Sequence, residues 1–291
     1  MPPNHIRNPF EMALEQMTVA ASDAGHAVAH PHHPADTPLA IRKVGFADLK
    51  DALRQGARDL VAAREDVVFV ALVYSLAGLV LAELLLNHNL LPLIFPLASG
   101  FALVGPAAAV GLYEISRRRE QGAAVTWTDA FGVFRSPALG SIFELGLILL
   151  AVLLAWLGAA YGIYLATLGP AAPASLSAFV HDVFATAQGW TMIVIGMGVG
   201  FLFAVVALAI SVVSFPLLLD RDVGVGRAIA VSVRAVVANW RTMAVWGLIV
   251  AGALALGSLP ALFGLIFVMP MLGHATWRLY RRMIVATPER A

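Results

Sequence analysis

The chain has 291 residues, 60% hydrophobic and only 13% charged, with a mean hydropathy of +0.82. Soluble domains carry about a quarter charged residues, so the composition excludes an ordinary soluble protein and predicts a polytopic membrane protein. Nucleic acid is not an expected partner, and the absence of cysteine excludes disulfides, thiolate nucleophiles and iron–sulfur clusters.

That small net charge hides an asymmetry. All 19 Lys and Arg fall in five clusters, at Arg7 and within residues 42–64, 117–135, 221–241 and 278–290. Long apolar stretches free of Lys and Arg separate the last four. Basic clusters mark cytoplasmic loops, so the pattern predicts helical hairpins that leave the cytoplasm and return to it.

Residues 1–40 read as a disordered tail rich in His, Pro and Ala. His26, His30, His32 and His33 lie in it without the fixed spacing that a metal site requires. No apolar core of a signal peptide occurs there, so the first span is expected to act as an uncleaved anchor. Residues 41–63 predict an amphipathic helix at the cytoplasmic headgroups. Phe46, Leu49, Leu53, Leu60 and Val61 are expected on one side, and Lys50, Arg54 and Arg58 on another. Packing against the protein's own cytoplasmic loops is the alternative.

The first span is predicted at 67–86 and the second at 91–116, joined by a very short loop at Asn87, His88 and Asn89. Pro96 and Pro106 should disturb the second span. After the cluster Arg117, Arg118 and Arg119, the stretch TWTDAFGVFR repeats the first surface helix at a shift of 81. Asp48 then aligns with Asp129, and Arg54 with Arg135. The third span is predicted at 138–165. A Lys/Arg-free external loop over 169–189 follows, with a short surface helix in SLSAFVHDVF. The fourth span is predicted at 190–219, with Pro216 before Asp220 and Arg221. Residues 225–239 predict a third cytoplasmic surface helix, with Ile229, Val233, Val236 and Val237 on its apolar side. The fifth and sixth spans follow at 242–259 and 261–280, and residues 285–291 form a basic tail. Trp127, Trp190, Trp240 and Trp277 read as belt anchors at the membrane interfaces.

The expected fold is therefore all-α. A transmembrane domain over 41–284 holds six spans in three hairpins, each preceded by a cytoplasmic amphipathic helix, with both termini inside.

Charged groups within a bilayer are costly and need a partner or a purpose. Glu83 lies about a turn from the external end of its span. Glu114 stands three and four residues before Arg117 and Arg118, the spacing of a local helical ion pair. Asp220 sits at the cytoplasmic rim beside Arg221. Glu144 and His274 are deeper, at similar distances from the cytoplasmic side. They could pair, shuttle a proton or hold a ligand, or each could be satisfied separately. No phosphate-binding loop, nucleophile elbow, zinc-protease helix or dinucleotide fingerprint occurs, so no catalytic, cofactor or metal site is expected.

Three stretches, FPLASGFALVGPAAAVGLYEISRRREQG, ISVVSFPLLLDRDVG and VMPMLGHATWRLYRR, resemble the bacterial family of predicted integral membrane proteins called domain of unknown function 2189. The resemblance covers about 41–284 and implies no known chemistry. Some relatives are labelled cytochrome c oxidase subunit I. From Ile41 onward this chain has only His88, His181 and His274, too few for the haem and copper ligands of such a subunit. The expected function is a non-enzymatic scaffold or accessory subunit in the bacterial inner membrane. Its expected partners are the bilayer and another membrane protein such as a respiratory complex. A small-solute or ion transporter is the alternative.

Overall fold

The computed structural model describes residues 39–62, 88–123, 125–259 and 263–286. The expectations for the histidine-rich tail up to residue 38, for the first span at 67–86 and for Glu83 lie outside these residues.

The described chain is helical, with one two-stranded ladder. In order it comprises β1 (Leu39–Ile41), α1 (Phe46–Ala62), a 3-10 helix (His88–Leu93), α2 (Ile94–Ala108), α3 (Val110–Glu120), a second 3-10 helix (Trp127–Arg135), α4 (Leu139–Thr167), α5 (Leu176–Ala185), α6 (Ala187–Ser211), α7 (Ser214–Asp220), α8 (Val225–Ala238), α9 (Trp240–Ser258), α10 (Leu265–Met283) and β2 (Ile284–Ala286). Among the described residues three helical runs are long and apolar enough to cross a membrane: Leu139–Thr167, Ala187–Asp220 and Trp240–Ser258. These match the predicted third, fourth and fifth spans.

The predicted second span is α2 and α3, separated by a turn at Ala109. Pro106 sits three residues before it, and a proline cannot donate into the helical ladder. Pro216 acts in the same way further on. Its ring and missing N–H are incompatible with a normal bond to the carbonyl of Val212, and α6 ends in a turn there before α7 begins. Hydroxyls satisfy the disturbed backbone. Val213 N–H donates to Ser232 Oγ at 3.2 Å, and Ser214 Oγ donates to the Ile210 carbonyl at 2.6 Å. Pro270, by contrast, lies inside an unbroken α10.

The first surface helix does form, but its inward face differs from the expected one. Leu49, Ala52 and Gly56 are buried, whereas Phe46 and Val61 are 60% and 73% exposed. The buried face packs on α10. A Cβ on Gly56 would lie 2.6 Å from the Met271 carbonyl oxygen and 2.8 Å from the Ala275 nitrogen, so only glycine permits this approach. The second surface segment is a 3-10 helix. In the third, α8, the small residues Ala228, Val231, Ser232 and Ala235 face inward and Val237 faces out. The expected apolar residues Ile229, Val233 and Val236 are only half-buried beside them.

The two ends of the described chain meet. Leu39, Ala40 and Ile41 pair antiparallel with Ala286, Val285 and Ile284, and Arg42 N–H donates to the Met283 carbonyl at 2.8 Å. Asn239 and Thr242 secure the link to α1. Asn239 Oδ1 accepts from Val44 N–H at 2.8 Å, and Thr242 Oγ1 donates to the Val44 carbonyl at 2.9 Å. At the opposite end of α10, Gly264 lies against Gly257, where a Cβ would come within 2.7 Å of the Gly257 backbone. This contact closes the α9–α10 pair.

Candidate functional site

The polar groups of the fold concentrate where α1, α3, α7, α10 and the second 3-10 helix converge. This is the basic end of the molecule. On α3, Glu114 is 2% exposed, and helical spacing brings Arg117 and Arg118 over it. Arg117 donates from Nε and Nη2 to its two oxygens at 2.8 and 3.0 Å, and Arg118 Nε donates at 2.6 Å. Arg118 then reaches Asp129 through Nη1 at 2.6 Å. The guanidinium crosses Gly132, where a Cβ would clash with it.

Asp129 also accepts from the backbone N–H of Thr126 at 2.8 Å, capping its own helix. That bond, the Thr126 hydroxyl and the Arg118 charge hold its carboxyl below the usual aspartate range. Asp48 repeats the arrangement. Its Oδ2 accepts from Gly45 N–H at 2.9 Å, and Arg282 lies 3.5 Å from Oδ1 and donates to the Asp48 carbonyl at 2.9 Å. Arg118 and Arg282 each follow their proline, Pro106 and Pro270, by the same interval. The two positions that the sequence alignment pairs, Asp48 and Asp129, thus each meet an arginine, Asp129 by a direct 2.6 Å bond and Asp48 at 3.5 Å.

The remaining α10 arginines tie this helix to α1, α3 and α7. Arg278 reaches Asp59 of α1 at 3.1 Å. Arg281 bridges Glu120 of α3 at 3.1 Å and Asp220 of α7 at 3.3 Å, and those two charges raise its pKa above the usual value. Tyr280 donates to Asp220 at 2.7 Å, and Trp277 Nε1 donates to Glu120 at 3.0 Å. Trp277 is fully buried, so it is a core residue and not a belt anchor. Trp190 and Trp240 are 55% and 62% exposed.

His274 is fully buried, with Nδ1 2.7 Å from Ser116 Oγ of α3. Glu144 is exposed on the outer side of α4, beside the exposed Phe143 and Leu147. The structure therefore does not bring Glu144 and His274 together. Glu114 and Asp220 belong to the ion-pair network, with Asp220 3.6 Å from Arg221. Sequence reasoning missed Asp59, Glu120 and Ser116, whose partners lie far away in the chain, and Gly132, which the Arg118 guanidinium crosses. Only the shared acid at Asp48 and Asp129 offered a signal. Among the described residues no three His, Asp or Glu side chains converge as a metal site would need. The groove between α4 and α6, lined by Ile148, Val152, Leu202, Phe203 and Val206, is apolar.

No curated protein and no solved structure matches the chain. Residues 94–220, which carry α2 to α7 with both proline-linked helix breaks, match the family described as predicted integral membrane protein (DUF2189), the family that the quoted motifs resemble.

Proposed function

We propose that this integral membrane protein is a non-enzymatic scaffold or accessory subunit of a membrane complex. The observation that carries the reading is the use of its polar groups. Glu114 binds arginines of its own helix, whereas Asp59, Glu120, Asp129 and Asp220 bind arginines of other elements, and His274 is engaged by Ser116. Such an arrangement holds helices in place and leaves a broad apolar outer face, notably on α6, where Phe201 and Leu202 are 64% and 62% exposed.

The reading includes six spans in three hairpins, in the bacterial inner membrane, with both ends cytoplasmic. Pairing of β1 with β2 supports an even number of crossings, because it holds residues 39 and 286 on one side. The three apolar runs supply three of the crossings; the first predicted span, α2–α3 and α10 supply the others.

Gentle detergent extraction followed by native mass spectrometry tests the role. A stoichiometric membrane partner that co-migrates with the protein is expected. A monodisperse protein without a partner, but with solute flux after reconstitution in liposomes, overturns it in favour of transport. The helix breaks at Ala109 and at Val212–Val213 favour that second reading, since interrupted helices build transporter binding sites.

A further inference from the structure

The ion pairs leave a residue of charge that is not random. Asp48, Asp51, Asp59, Glu114, Glu120, Asp129 and Asp220 all serve arginines, mostly those that end α3 and α10. Among the described residues no acid pairs with Lys50, Arg54 or Arg58 of α1, and all three are exposed.

Their placement on the helix is specific. At about 100° per residue, Leu49, Ala52 and Gly56 fill the arc against α10, and Asp48 and Asp59 border it on one side. Phe46, Lys50, Arg54 and Val61 fall within about 80° of one another on the other side, with Arg58 at the edge. Exposed apolar and cationic side chains thus share one stripe. Water alone does not favour an exposed phenylalanine there, and an acidic protein surface would satisfy only the charges. A headgroup layer accommodates both, because aromatic and aliphatic groups enter the acyl boundary while long cationic side chains meet phosphates. The same combination recurs at the basic end. Phe134, 68% exposed, adjoins the exposed Arg135, and Trp240, 62% exposed, has Arg241 stacked 5.2 Å from its ring.

We propose that the free stripe of α1 is a docking surface for anionic phospholipid headgroups, with Lys50, Arg54 and Arg58 as the phosphate-binding residues and Phe46 and Val61 as the apolar anchors. One face of α1 is held by α10, and the adjacent stripe lies along the bilayer. Anionic headgroups attract basic segments, whereas zwitterionic ones do so far less.

The absence of cysteine makes a site-specific test direct. Phe46 lies about 22 Å along the helix from Val61 at the helical rise, so it enters the membrane only if α1 lies flat. The full chain carrying Phe46→Cys with a fluorescent label, and a Gln55→Cys control, is reconstituted in phosphatidylcholine vesicles with or without phosphatidylglycerol. Brominated acyl chains are the quencher. The label at 46 should be quenched in the anionic vesicles and much less in the neutral ones, and the label at 55 in neither. Adding Lys50→Gln, Arg54→Gln and Arg58→Gln should abolish the difference while leaving the melting temperature unchanged, since none of the three has an acidic partner among the described residues. A label at 46 that stays accessible to aqueous iodide in anionic vesicles overturns the proposal, as a protein partner for the stripe would require. Equal quenching in both lipids, or quenching insensitive to the triple substitution, also overturns it.

Discussion

Glu114 shows how a carboxylate can be held at 2% exposure: three charge-assisted hydrogen bonds satisfy it. Removing one partner of a buried pair leaves the other uncompensated. Arg117 and Arg118 are 30% and 35% exposed, so solvent softens the loss, and Glu114→Gln should cost about 2 kcal/mol, below the fully buried range. Thermal unfolding in detergent measures it. Gly132→Ala displaces the Arg118 guanidinium, an adaptable group, and should cost about 1 kcal/mol. His274→Ala removes a buried ring and orphans Ser116, for an expected loss of about 2–3 kcal/mol, whereas Glu144→Gln, on an exposed face, should change stability by less than about 0.5 kcal/mol. Equal effects of these last two substitutions would contradict the separate environments described for them. Asp129 adds a pH dependence. Its folded-state pKa is depressed, so its contribution is present above the ordinary aspartate value, about 3.9, and is lost as pH falls through the folded value. Asp129→Asn should remove that part of the acid limb of a stability–pH profile.

Elements in this fold are joined by pairs that cross long stretches of chain. The coupling of Arg118 to Asp129 and that of Arg282 to Asp48 occupy equivalent positions in the repeat, yet the first spans 11 residues and the second 234. The first surface segment therefore docks on the last helix. Close packing decides this junction: Gly56→Val should force α1 from α10, raising protease cleavage within 46–62, while the exposed Ala47→Val should not. At the α6–α7 break, Ser232→Ala leaves Val213 N–H without its acceptor and should lower stability by about 1–3 kcal/mol, measured by melting.

For the whole molecule, β1–β2 pairing makes a topological statement that no single helix could. Residues 39 and 286 share a side, so accessibility labels placed near them should react from the same face of sealed vesicles. A label near Phe179 on α5 should react from the opposite face, because α4 and the α6–α7 run lead to and from it. Labelling of all three positions from one face would remove the hairpin arrangement.

The amino-acid sequence by itself determined that this is a helical membrane protein. Apolar runs of spanning length and clustered arginines are local features, set by the free energy of transfer to hydrocarbon and by the bilayer's thickness. It also determined the Glu114 pair, whose partners lie about one helical turn away. Tertiary structure alone decided which side of α1 and α8 faces inward, that Trp277 belongs to the core, that Glu144 and His274 stay apart, and which acid each α10 arginine binds. Those outcomes depend on how closely two backbones approach at Gly56, on the burial of small residues such as Ala228, and on groups brought together from more than 150 residues away. Helical periodicity reports where apolar side chains lie around an axis, and it carries no information about the neighbour they meet.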